Sequence, residues 1–122
     1  KMYLDRVCVL FDDIGKTKGS DMMENIENYI TFARHFRVNF YISIQYYIMA
    51  TTTIRSNVQY IFAKKQPNKK NKKALYMEID SKMKYSDFEY LLDYITQVMK
   101  FGTFVANRRG HANTIDYIKG IN

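Results

Sequence analysis

The chain has 122 residues, of which 47% are apolar and 16% aromatic, enough to pack one core but not several. A single cysteine, Cys8, excludes a disulfide framework and a cysteine-based zinc site and points to a reducing compartment. No apolar run nears the roughly 18 residues needed to cross a bilayer, and the polar start Lys1 to Arg6 is unlike a signal peptide.

Lys, Asn, Ile and Tyr supply 46 of the 122 residues, the signature of AT-rich codons, so part of the lysine and asparagine content reflects origin rather than chemistry. The net charge of +7 is uneven: residues 1–60 carry +1 and residues 61–122 carry +6. Its densest run is Lys64, Lys65, Lys69, Lys70, Lys72 and Lys73, six cations within ten residues around Pro67. Such a run suits a nucleic-acid backbone by counterion release; it equally suits a solvated loop that keeps the protein soluble.

In chain order, Arg6 to Phe11 is a continuous apolar run that predicts a strand buried on both faces. It stops at Asp12-Asp13, and Gly15 to Ser20 reads as a loop. Ser20 or Asp21 can cap a helix in which Met22, Ile26, Tyr29, Ile30 and Ala33 recur at helical spacing, to about His35. Val38 to Ile44 predicts a second strand ending at Gln45; Thr51 to Asn57 is a polar segment of about one helical turn; Val58 to Ala63 predicts a third strand. Past the lysine-rich loop, helices are predicted from about Lys70 to Ile79 and from Ser86, the latter with Phe88, Leu91, Leu92, Ile95 and Met99 on one face. Gly102 ends it, Thr103 to Ala106 predicts a fourth strand, and Thr114 to Ile118 is a fifth strand or a tail. Apolar strands alternating with helices predict a single α/β domain around a mostly parallel central sheet with flanking helices, the first two strands adjacent and central.

Parallel α/β sheets bind ligands at the carboxyl ends of their strands, where this chain has Asp12, Asp13 and Gln45. Adjacent carboxylates after an apolar strand suit a hard cation and a water to be activated; they also suit a simple turn. Gly15-Lys16-Thr17 imitates the end of a phosphate-binding loop, but that pattern requires glycine at position 10, where the chain has Leu10, and would put two carboxylates among the phosphates.

Val7 to Asp13 resembles a Walker B strand. Phe32-Ala33-Arg34-His35 resembles the Arg-His motif of the poxvirus-type genome-packaging ATPases, Ile42 to Gln45 their strand ending in a sensor glutamine, and Ile54-Arg55-Ser56-Asn57 the Ile-Arg-x-Asn that follows. The four elements keep that family's order, and the likeness covers about residues 6–64. These ATPases are motors of the FtsK–HerA class of P-loop NTPases. The resemblance implies a partial RecA-like P-loop domain spanning 1–122, in which Asp12 holds Mg²⁺ through water, Asp13 polarises the attacking water in place of the commoner glutamate, and Gln45 senses the γ-phosphate of ATP. Arg34 or Arg55 would reach the nucleotide of a neighbouring subunit. It further implies a homo-oligomeric ring acting on double-stranded DNA with capsid or vertex proteins, in host cytoplasm (a viral factory) or with the virion.

The family's Walker A loop lies upstream of Walker B, and this chain starts at Lys1, almost at the Walker B-like strand. The expectation is therefore the C-terminal half of an ATPase domain, inactive by itself. The alternatives are a catalytically inactive nucleic-acid-binding or assembly module using the Lys64–Lys73 run, and a metal-dependent nuclease on Asp12, Asp13 and Glu24, for which a further strand-borne Glu or Lys is not evident.

Overall fold

The computed structural model describes residues 7–14, 21–32, 35–36, 38–79, 82–109 and 114–119. The element order is β1 (Val7–Phe11), α1 (Asp21–Phe32), β2 (Val38–Ile42), α2 (Thr52–Asn57), β3 (Tyr60–Ala63), α3 (Lys69–Ile79), α4 (Tyr85–Asp93), β4 (Thr103–Asn107) and β5 (Thr114–Ile118). A 3₁₀ turn (Tyr47–Met49) precedes α2, and a π-helical turn (Tyr94–Val98) prolongs α4. The chain is α/β and divides into two compact units, residues 1–57 and 58–122.

In the first unit β1 and β2 pair in parallel, Val7 opposite Val38 through Phe11 opposite Ile42. The adjacency of these two apolar segments follows their sequence; their burial does not. Val9, Phe11, Val38, Phe40 and Ile42 are half-buried on one face, with Phe11 and Phe40 stacked at 6.0 Å, whereas Cys8, Leu10, Asn39 and Tyr41 are exposed on the other. Among the described residues β1–β2 is a two-stranded sheet, so neither strand is flanked on both edges as a central strand would be. Among the described residues of this unit the buried apolar side chains are Ile14, Ile26, Ala50 and Ile54. Thr51 Oγ1 accepts the Ile54 amide at 3.3 Å and starts α2, and Ile26 of α1 is buried.

The second unit is built on β3–β4–β5, antiparallel throughout, with Tyr60 opposite Asn107 and Thr103 opposite Ile118. This corrects the expectation of one mostly parallel sheet. A single crossover helix returns the chain to the starting end of a sheet and yields a parallel neighbour; the two successive helices α3 and α4 between β3 and β4 leave it at the far end. The six residues between β4 and β5 suffice only for a hairpin. Residues 114–118 are thus a strand, not a tail.

Both helices read from the sequence are present, and their apolar positions form the core. Leu75 and Ile79 of α3, and Phe88, Leu92 and Ile95 of α4 and its π turn, are buried with Ile61, Ala63, Phe104 and Ala106 of the sheet. Phe88 meets Phe104 edge-on at 5.6 Å. Burying each such side chain contributes about 1.5–3 kcal/mol. Lys72 of α3 bonds Glu89 and Asp93 of α4, and Tyr76 packs on Tyr85 and Phe88, so α3 and α4 run antiparallel.

The predicted helix to Met99 changes character at Tyr94, where the Met99 amide bonds the Tyr94 carbonyl five residues back at 3.1 Å. Phe101 then takes φ 56°, the left-handed end of many helices, and the Gly102 amide bonds the Met99 carbonyl at 3.0 Å. A Cβ at Gly102 would lie 1.7 Å from the Ile95 carbonyl oxygen, so the chain closes on itself only with glycine there. Gly102→Ala should cost roughly 3 kcal/mol and lower Tm by about 10 °C, measured by thermal denaturation followed by circular dichroism. An unchanged Tm would show that the Ile95–Gly102 approach is not maintained in solution.

Candidate functional site

The parallel ladder of β1 and β2 does not stop cleanly. The Ser43 amide donates to the Phe11 carbonyl at 2.8 Å, and the Ser43 carbonyl accepts from Ile14 at 3.0 Å. A regular parallel ladder would take that second bond from residue 13. One extra residue is therefore inserted, a bulge formed by Asp12 and Asp13 opposite Ser43. Asp13 has φ 51°, a left-handed conformation that aspartate tolerates better than most residues. Ile14, back in the ladder, is 5% exposed and anchors the far side of the bulge.

The bulge puts both carboxylates at the surface. Gln45 lies two residues beyond Ser43 at the same end of the sheet, and its Nε2 donates to Asp13 Oδ1 at 2.8 Å. Three residues chosen from the sequence thus share one strand end, and two of them touch. Among the described residues no three His, Cys, Asp or Glu side chains gather into a metal-binding group. A hard cation here would take one or two protein oxygens from Asp12 and Asp13 and complete its shell with water and phosphate, which is the habit of Mg²⁺ with nucleotides. Glu24, exposed on α1, forms no such group with Asp12 and Asp13.

Arg34 lies outside the described residues. Arg55, half-buried in the last turn of α2, places Nη2 3.5 Å from Thr52 Oγ1 and sits where a cation favours the helix dipole.

The lysine run separates into two populations. Lys64 Nζ donates to the Phe101 and Gly102 carbonyls at 3.2 and 3.3 Å, holding the turn before β4. Lys72 is 8% exposed and lies 2.6 Å from Asp93 and 3.4 Å from Glu89. Neither ammonium projects freely from the surface. Lys65, Lys69, Lys70 and Lys73 are exposed and remain candidates for a phosphate backbone. Asn68 Oδ1 accepts the Lys70 amide at 2.8 Å and begins α3.

The structural role of Lys72 had a signal in the sequence. It lies three residues before Leu75 and seven before Ile79, on the apolar face of α3, and Glu89 and Asp93 form an i, i+4 acidic pair on α4. Burial alone would lower the pKa of Lys72, but hydrogen bonds and charge from Asp93 and Glu89 outweigh it and raise the pKa above the ordinary lysine value. Burial, reinforced by the charge of Glu89, also raises Tyr85.

Both groups are held in their protonated forms by folding. Their contribution to stability is therefore fully present below their unfolded pKa values, about 10, and lost as pH rises through the raised folded values. Unfolding free energy from urea titrations should fall above about pH 10, and Lys72→Ala should weaken that fall. The same substitution should cost about 1–2 kcal/mol at neutral pH, less than a fully buried pair because Glu89 and Asp93 keep 30% and 34% of their side-chain surface in water. Lys73→Ala should change stability by less than about 0.5 kcal/mol. Equal effects of the two substitutions would refute the assignment.

No known protein family, no curated protein and no solved structure matches the chain.

Proposed function

We propose that the first unit is the Walker B and sensor portion of a P-loop ATPase of the kind that packages double-stranded DNA in large DNA viruses. The observation that carries this reading is the Gln45–Asp13 hydrogen bond at the carboxyl end of the parallel β1–β2 pair. Hydrolysis needs a carboxylate that polarises water and a neighbouring amide that registers the γ-phosphate; coupling them lets the state of the nucleotide alter the position of the base. The β-bulge supports the reading further, because it lifts Asp12 and Asp13 out of the sheet where an unbulged strand would alternate them between its faces.

In this reading Asp13 accepts hydrogen-bond character from the attacking water, and Gln45 holds the Asp13 carboxylate in place. Asp12 would hold Mg²⁺ through water, and the ion would supply positive charge against that developing on the phosphate oxygens. Arg34 or Arg55 would complete the site of the next subunit in a homo-oligomeric ring, seated against capsid or vertex proteins in the host cytoplasm or virion. The Walker A loop would be supplied by polypeptide outside residues 1–122. A second reading, a nucleic-acid-binding or assembly module without catalysis, is favoured by the four exposed lysines Lys65, Lys69, Lys70 and Lys73.

The test joins residues 1–122 to the polypeptide encoded immediately upstream. A G-x-x-x-x-G-K-[ST] loop should be found there, and the joined protein should hydrolyse ATP with Mg²⁺. Asp13→Ala should reduce kcat by about 100-fold or more and Gln45→Ala by about tenfold or more, while residues 1–122 alone show no turnover. Turnover by residues 1–122 that Asp13→Ala abolishes, or an upstream sequence without the loop, would overturn the proposal.

A further inference from the structure

The outer surface of the α3–α4 hairpin has features that the nucleotide-site reading does not use. Tyr90 and Tyr94, one turn apart, stack with ring centroids 6.2 Å apart and planes 20° from parallel. They remain 72% and 45% exposed. Together with Asp93, Gln97 and Val98 they line an open groove of about 370 Å³. The π-helical turn begins at Tyr94, and such turns inside helices are frequent at functional sites.

Helix geometry relates this surface to the lysine run. The Lys72–Asp93 ion pair marks the seam between the antiparallel helices. About the α3 axis, Lys69 and Lys73 lie about 60° and 100° to one side of Lys72; about the α4 axis, Tyr90 and Tyr94 lie about 60° and 100° from Asp93 in the same sense. For antiparallel helices those rotations open toward the same side of the seam. The opposite side carries Leu75, Phe88 and Leu92 and is the core. Exposed Lys69 and Lys73 therefore flank the surface on which the stacked tyrosines lie.

We propose that this surface binds single-stranded nucleic acid, with bases stacking on Tyr90 and Tyr94 and Lys69 and Lys73 neutralising phosphates. Charge complementarity argues for this occupant over an apolar protein segment. The groove's one carboxylate, Asp93, is already neutralised by Lys72 and accepts a hydrogen bond from Gln97 at 2.8 Å, so it opposes phosphate weakly. Residues 58–122 carry a net charge of +6. An exposed ring face beside cations is the usual means of holding a single strand without reading its sequence, and a base can reach such a face only when it is not stacked within a duplex. The proposal concerns the second unit and does not depend on the ATPase reading of the first.

Fluorescence anisotropy of labelled oligothymidylate, with a duplex of equal length as comparison, tests it. The single strand should bind more tightly than the duplex. Tyr90→Ala with Tyr94→Ala should weaken single-strand binding about tenfold or more, and Tyr90→Phe with Tyr94→Phe should change it by less than about twofold. Lys69→Ala with Lys73→Ala should reduce the slope of log affinity against log salt by about 1.4. Far-UV circular dichroism confirms that each variant is folded. Undiminished binding by the Tyr→Ala pair, equal loss with the Tyr→Phe pair, or preference for the duplex overturns the proposal. Duplex preference abolished by the lysine substitutions alone would instead assign the lysines to double-stranded DNA. No binding to either polymer rejects both assignments.

Discussion

The candidate site rests on the register of one strand pair. Phe11 opposite Ile42 brings the ends of β1 and β2 level, and the bonds from Ser43 to Phe11 and from Ile14 to Ser43 then force the intervening two residues outward. A slip of β1 by one residue against β2 would exchange the half-buried Val9 and Phe11 with the exposed Leu10 and separate Asp13 from Gln45. Apolar alternation, bulge and polar pair are thus consequences of a single pairing. The left-handed conformation of Asp13 fits the same constraint, because the chain must turn within one residue to rejoin the ladder at Ile14.

A second constraint orders the other unit. Its two helices are tied at one end by Lys72 with Glu89 and Asp93, and nearer their connection by Tyr76 packed on Tyr85 and Phe88, with Tyr76 Oη donating to the Met83 carbonyl at 2.7 Å. This pairing turns Leu75, Phe88 and Leu92 onto the sheet and leaves Tyr90, Tyr94, Lys69 and Lys73 outside. One lysine of the run is enclosed so that its neighbours are displayed. The partly buried ion pair has a desolvation cost that its hydrogen bonds offset, and it joins the two helices at a defined angular position.

The apolar segments of β1 and β2 show how far periodicity carries. A run without alternation predicts burial on both faces, yet Leu10 and Tyr41 are 67% and 54% exposed. Hydrophobicity reports what a strand can bury, whereas burial requires an element to lie against it. Likewise, alternation of helix and strand suggested parallel pairing throughout, but the two helices between β3 and β4 reverse the outcome. Counting helices in each connection would have revealed it.

The sequence by itself determined where most of the elements lie: β1 and β2, the helices starting near Lys70 and Ser86, and the strand at Thr103 follow from apolar spacing, caps and breakers, which are local properties, whereas pairing with β4 decided that residues 114–118, open in the sequence, form a strand. It also picked out Asp12, Asp13 and Gln45, since polar residues ending apolar strands stand out in a linear reading. Tertiary structure alone decided which lysines are available, because the enclosure of Lys72 depends on acids 17 and 21 residues away and the capping of the Phe101–Gly102 turn by Lys64 spans 37 and 38 residues. It also decided the hydrogen bond between Gln45 and Asp13, 32 residues apart. Local propensity acts over one helical turn or one strand; contacts between distant side chains are set by how whole elements pack.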